Sequence, residues 1–158
     1  MRAEEICATA DQADLRLVRF LWCGNDGTVR AKASGRHGLD GRLRAGIGLT
    51  VGMQAMSGLD ELQPVPDMGP VGEVRLVPDL ETFRFLPYAP HTAALLTDHV
   101  GLDGQPAPVC QRSFLKRMEG RLAARGLVLR AAFENEFSLA RNVDGAYVPI
   151  DSALCFST

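Results

Sequence analysis

Asp26-Gly27 lies between two β-prone runs, and no other feature limits the possible folds of this chain as strongly. Ahead of it, Leu15-Arg16-Leu17-Val18-Arg19-Phe20-Leu21-Trp22 is apolar enough for a half-buried strand. Behind it, Thr28-Val29-Arg30-Ala31-Lys32-Ala33 alternates apolar and charged residues, as a returning strand should. Asp-Gly supplies the positive φ angles of a tight turn, so the two runs read as an antiparallel β-hairpin. Residues 3–12, just before it, read as a short polar helix.

From Gly35 to Pro70 glycines interrupt any period, at Gly38, Gly41, Gly46, Gly48, Gly52 and Gly58. That stretch reads as a long irregular loop with one helical turn at most, and loops of such length inside compact domains are functional or disordered. Strands return at Gly72–Val77, stopped by Pro78-Asp79, at Thr82–Leu86, and at Ala93–Asp98. Gly101 to Pro108 is a Gly/Pro-marked connection of the kind found at domain boundaries. A helix follows, with Phe114, Leu115, Met118, Leu122 and Ala123 at helical spacing and Gly126 placed to cap it. Leu127 to Leu139 then reads as a long strand. The fold class expected is α+β, with a strand-rich domain over residues 1–106 and the beginning of a second domain over 107–158.

The 158 residues are 46% hydrophobic and 23% charged, which is globular composition. A formal net charge of −2, with both signs interspersed, gives no electrostatic case for nucleic acid or an anionic membrane. Met1-Arg2-Ala3-Glu4-Glu5 lacks the basic, then apolar, pattern of a signal peptide, and no run reaches the ~20 apolar residues of a membrane span. The cytoplasm is the expected location. Cys7, Cys23, Cys110 and Cys155 form no CxxC pair and read as reduced, mostly buried thiols.

Glu134 and Glu136 are the sharpest chemical feature. The strand period of two puts both carboxylates on one face and Phe133, Asn135 and Phe137 on the other. Two hard oxygen donors on a rigid strand suit Mg²⁺ or Mn²⁺, although an E-x-E alone is more often a solvated polar face. Other residues have plainer roles. Asp26 is a turn residue, and Asp79 stabilises the turn after Pro78. Arg112 is a structural hydrogen-bonder to nearby carbonyls or acids, and Trp22 lies in the core or at a subunit interface. His37, His91 and His99 have no acidic or cysteine partner at ligand spacing and read as surface or loop histidines.

Taken in order, several of these segments resemble one family. Glu73-Val74-Arg75-Leu76-Val77-Pro78-Asp79-Leu80-Glu81-Thr82 resembles the E-x-x-L-x-P-D-x-x-T stretch of the N-terminal β-grasp domain of the glutamine synthetase family, and Asp98 with Asp103-Gly104 resembles its closing strand and turn. Gln111-Arg112-Ser113-Phe114-Leu115 with Gly126 resembles the P-R-x-x-L helix and glycine that open the family's catalytic domain. Phe133-Glu134-Asn135-Glu136-Phe137 is similar to its first metal-binding strand, E-x-E-F. Order and spacing agree over roughly residues 15–140.

The resemblance implies an ATP-dependent ligase that phosphorylates the γ-carboxylate of glutamate and lets an amine displace phosphate. Glu134 would help bind a metal near the ATP phosphates, and Glu136 one near the glutamate carboxylate, with two Mg²⁺ or Mn²⁺ ions per site. A homo-oligomer with active sites between subunits is also implied, as is a γ-glutamyl-amine ligase rather than a glutamine-forming enzyme. The latter follows because Leu49-Thr50-Val51-Gly52-Met53 stands where ammonia-using members carry F-D-G-S-S. Thr50 replaces the aspartate that binds ammonium, and a hydroxyl supplies no negative charge to a buried cation. Alkylamines or polyamines fit better than ammonia. The family's remaining metal, nucleotide and substrate residues lie past a point equivalent to Thr158, so a front fragment, inactive alone, is expected. The competing expectations are a non-catalytic β-grasp interaction module, binding a partner by an exposed sheet edge, and a pseudoenzyme.

Overall fold

The computed structural model describes residues 1–151 as two compact units, Met1–Leu127 and a smaller one from Val128 onward. Its fold is α+β and sheet-dominated.

The first unit opens with α1 (Ala3–Gln12), β1 (Leu17–Cys23) and β2 (Val29–Gly35). At the start of α1 the Arg2 N–H donates to Glu5 Oε2 at 2.9 Å, satisfying a main-chain donor that the helix leaves open. The hairpin forms as expected. Gly27 has φ +82°, β1 and β2 are antiparallel from Leu17↔Gly35 to Cys23↔Val29, and Val18, Phe20 and Trp22 are buried at period two. Asp26 does more than turn the chain: it accepts from Thr28 N at 3.2 Å and from Arg30 Nη2 at 3.0 Å.

The expected irregular loop over 35–70 contains α2 (Leu39–Ala45), β3 (Ile47–Thr50) and a 3-10 turn over Val51–Ala55. Glycine hid these elements because their stability is tertiary. Leu39 and Leu43, four apart, bury into the core, and β3 takes its register from β4 (Glu73–Pro78), Ile47↔Leu76 through Thr50↔Glu73. Gly46 makes the reversal between α2 and β3 possible. Its φ is +73°, and a Cβ there would stand 2.5 Å from the Leu76 carbonyl oxygen. Part of the remaining loop is fastened to the hairpin, where Arg30 Nη2 donates to the Ser57 carbonyl at 3.1 Å.

Strands β5 (Arg84–Phe85) and β6 (Thr92–Val100) complete the sheet, in order β2-β1-β6-β4-β3 with β5 beside β6. The β1–β6 pair is parallel and the others antiparallel. Ala3, Ile6 and Ala10 of α1 and Leu39 and Leu43 of α2 pack on Val18, Phe20, Ala93 and Leu95, while Trp22, Leu49, Val74, Leu76 and Ala107 form a second cluster.

Helix α3 (Gln111–Ala123) forms where expected, and Gly126 at φ +71° carries the left-handed turn just after it. Charge ties it to the sheet. Arg112 Nη2 meets Asp79 Oδ2 at 2.8 Å, Arg112 Nη1 meets Asp98 Oδ1 at 3.4 Å, and Lys116 Nζ meets Asp98 Oδ2 at 2.6 Å. Its expected apolar stripe is not covered among the described residues, with Phe114 55% and Leu115 49% exposed.

The strand expected over 127–139 is not formed, and every residue in it is exposed, Phe133 and Phe137 included. A strand is held by ladder bonds to a neighbour, and among the described residues no strand pairs with this segment, which has a single such bond at its end, from Ile150 N to Leu139 O at 3.2 Å. The second unit instead holds the hairpin β7 (Ala140–Val143) and β8 (Ala146–Pro149), turned by Asp144 and Gly145 at φ +51° and +85°.

Two measurements test this account. Gly46→Ala should destabilise by about 2 kcal/mol or more in urea unfolding, whereas Gly41→Ala, with open space at its Cβ, should stabilise by about 0.5–1 kcal/mol. Hydrogen bonding from Arg112 is the main reason the Asp79 carboxyl lies below the usual carboxylate range. A depressed folded-state pKa contributes stability above the unfolded value of about 3.9, and that stability is lost as pH falls through the folded value. Arg112→Leu should therefore cost about 1–2 kcal/mol near neutrality, with the difference from the parent chain shrinking as acid protonates Asp79.

Candidate functional site

Glu134 and Glu136 lie on the irregular, exposed segment of the second unit, and neither is hydrogen-bonded or ion-paired among the described residues. They are free to take a hard cation, and their chemistry suits Mg²⁺ or Mn²⁺. Two carboxylates fill only part of an octahedral shell. Among the described residues no group of three or more His, Cys, Asp or Glu is assembled to complete one. The donor type fits a metal, and the common face expected for the pair is not defined without the strand.

The first unit presents a second candidate region, the end of β3 and the turn after it. Thr50 is exposed, and the 3-10 turn Val51–Ala55 is fastened at its start, where Val51 N donates to Gly72 O at 3.1 Å. Gly52 lets the chain pass close to Gly69, whose carbonyl oxygen would lie 2.8 Å from any Cβ at position 52. Gln54 anchors the turn from inside. It is 2% exposed, its carbonyl accepts from Asn25 Nδ2 at 2.7 Å, and its side-chain Nε2 lies 2.7 Å from His99 Nε2.

His99 is therefore not the surface or loop histidine expected but a core residue, 1% exposed, with Trp22 edge-on to its ring at 6.4 Å. Its place was legible in the period of β6, where Ala93, Leu95, Thr97 and His99 are all buried at every second position. Gln54 gave no such signal. Its burial follows from the 3-10 turn, which glycine concealed.

Cys110, the N-cap of α3, adjoins this pair. Its Sγ accepts from His99 N at 3.2 Å and from Ser113 N at 3.5 Å. Burial pushes the thiol up, but hydrogen bonding from His99 and Ser113 outweighs it and brings the pKa down to about 6. Cys7 and Cys23 are also free, and Cys155 lies outside the described residues. Arg112 is engaged with Asp79 and Asp98 as a structural hydrogen-bonder, Asp79 caps its own turn by accepting from Glu81 N, and Trp22 is core. Among the described residues no helix is long and apolar enough to cross a membrane.

Comparison with known proteins gives this arrangement its context. Residues 1–107 match the family described as the glutamine synthetase N-terminal domain. The chain is 27% identical to a gamma-glutamylanilide synthase of an Acinetobacter species, over 93% of its own length and 32% of that protein's. It is 37% identical to a gamma-glutamylpolyamine synthetase of Streptomyces coelicolor, over 51% of its own length and 18% of that protein's. A solved structure described as a novel glutamine synthase homolog superposes with a TM-score of 0.63 at 27% identity, covering 70% of this chain and 27% of the other. The chain thus spans about a third or less of the relatives it matches, and over that span it belongs to the glutamine synthetase family.

Proposed function

We propose that this chain is the front part of a ligase that joins an amine to the γ-carboxylate of glutamate at the expense of ATP, through γ-glutamyl phosphate. The observation that carries the reading is the family match over residues 1–107; within that span we take Thr50 to stand where ammonia-using members carry an ammonium-binding aspartate. Two of the matched relatives are named for amide formation with an aromatic amine and a polyamine.

In this reading Glu134 and Glu136 would hold divalent metal, Mg²⁺ or Mn²⁺, which when bound supplies positive charge to offset that of the transferring phosphoryl group. Thr50 and the turn behind it form part of the amine pocket. An uncharged wall disfavours a small, strongly hydrated ammonium ion and tolerates an amine that brings apolar surface of its own. Gln54 and His99 fix that wall from beneath. The β-grasp domain ends near residues 106–107, and α3 begins the catalytic domain. The active protein is a cytoplasmic homo-oligomer whose sites form between subunits.

In the complete protein, phosphate release from ATP should require glutamate, an amine and Mg²⁺ or Mn²⁺. Glu136→Ala should reduce it by about 100-fold or more, and Glu134→Ala should weaken divalent-cation binding by about 10- to 100-fold. Unaltered metal binding and turnover in both variants would remove these residues from the site, and an absence of glutamate-dependent turnover would favour a binding module or pseudoenzyme. Alkylamines or polyamines should outrun ammonia, and Thr50→Asp should move the preference toward ammonium by about 10-fold. Faster formation of glutamine than of any alkylamide would refute the amine assignment.

A further inference from the structure

Cys110 combines three independent features. It caps a 13-residue helix from a position that ordinarily takes Ser, Thr, Asp or Asn, and two main-chain N–H groups, of His99 and Ser113, point at its sulfur. Although only 1% exposed, it forms part of the wall of a groove of about 240 Å³, with Asn25, Pro108, Val109, Gln111 and Phe114. The third feature is the buried imidazole of His99, whose Nδ1 has no hydrogen-bond partner. Gln54 Nε2, a donor, faces His99 Nε2 at 2.7 Å, which leaves Nδ1 as a buried ring nitrogen without a partner on the residue whose main-chain N–H meets the sulfur. A protonated thiol is a poor acceptor for these groups. A thiolate satisfies the two amides and the helix terminus together.

We propose that Cys110 is a thiol-modification site, where the thiolate attacks small electrophiles that enter the groove, hydroperoxides being the class that fits it. The sulfur forms a bond to one peroxide oxygen as the O–O bond breaks. It is thereby oxidised by two electrons to the sulfenic acid, and the departing hydroxide, or alkoxide where the hydroperoxide is organic, takes up a proton to become water or an alcohol. Because the same sulfur caps α3, the modification also disturbs the joint between β6 and α3. Cys7 lacks this environment, and burial pushes its thiol up.

The test is alkylation of the 158-residue chain by iodoacetamide across a pH series, read at each cysteine by peptide mass spectrometry. Rate near neutrality decides little. Lowering a thiol from about 8.5 to about 6 raises its thiolate fraction about 30-fold, but intrinsic nucleophilicity falls about 10- to 20-fold. The midpoint is the readout. For Cys110 it should lie near 6 in the native chain and near 8.5 in denaturant. In His99→Asn the native midpoint should rise by about one unit. After hydrogen peroxide, dimedone should trap a sulfenic acid at Cys110, and Cys110→Ser should abolish that adduct.

A native Cys110 midpoint in the ordinary thiol range, alkylation only on unfolding, or dimedone adducts chiefly on Cys7 or Cys23 would overturn the proposal. Should His99→Asn lose its thermal transition, the profile of the unmutated chain decides alone.

Discussion

Strand β6 is the element on which the first unit depends. It pairs in parallel with β1 and antiparallel with β4 and β5, so three strands take their register from it. A strand paired along both edges and packed from above has few polar options on its inner face. Ala93 and Leu95 fill the apolar part, and Thr97 is tolerated because its hydroxyl donates to the Leu21 carbonyl at 2.8 Å. His99 comes next in that row and brings two nitrogens into a buried position. One is matched by Gln54, which is how a core strand comes to hold a loop turn 45 residues earlier in the chain.

The alternate residues of β6 do a different job. Asp98, half-buried, engages both Arg112 and Lys116, and Asp79 at the end of β4 takes the other arm of the Arg112 guanidinium. One planar cation bridging two carboxylates from neighbouring strands fixes direction as well as distance, which a lysine in its place would not do. The start of α3 is thus positioned twice, by charge on one side and by the Cys110 cap over the His99 main chain on the other. Farther along, the helix relies on nothing comparable among the described residues, and its Phe114 and Leu115 remain largely bare.

What the sequence disclosed follows the range of the forces involved. Local chemistry was legible: the Asp26-Gly27 turn, the alternation of β1, the helix at 111–123 and the glycine after it all rest on contacts a few residues apart. Tertiary chemistry was not. Strand β3, which contains Gly48, exists because β4 pairs with it, and α2 survives Gly41 because Leu39 and Leu43 are buried. The opposite error at 127–139 has the same origin. The run is β-prone, but a strand is a relation between two segments, and no strand among the described residues pairs with this one. The Asp144-Gly145 turn of the second hairpin carries the same local signal as Asp26-Gly27.

The same contrast separates the two candidate regions, each taken within its own unit. The turn that follows Thr50 is organised within the first unit, where Gly72, Asn25 and the Gln54–His99 pair hold its backbone from three sides. A backbone fixed in that way presents the side chain at position 50 without reorganising. Glu134 and Glu136 stand in the opposite condition. Their carboxylates are chemically suited to a divalent cation, yet the period-two geometry that would aim both at one ion comes from ladder bonds with neighbouring strands. The backbone around Thr50 therefore rests on contacts within the first unit, whereas a common face for Glu134 and Glu136 needs pairing that the described residues do not provide.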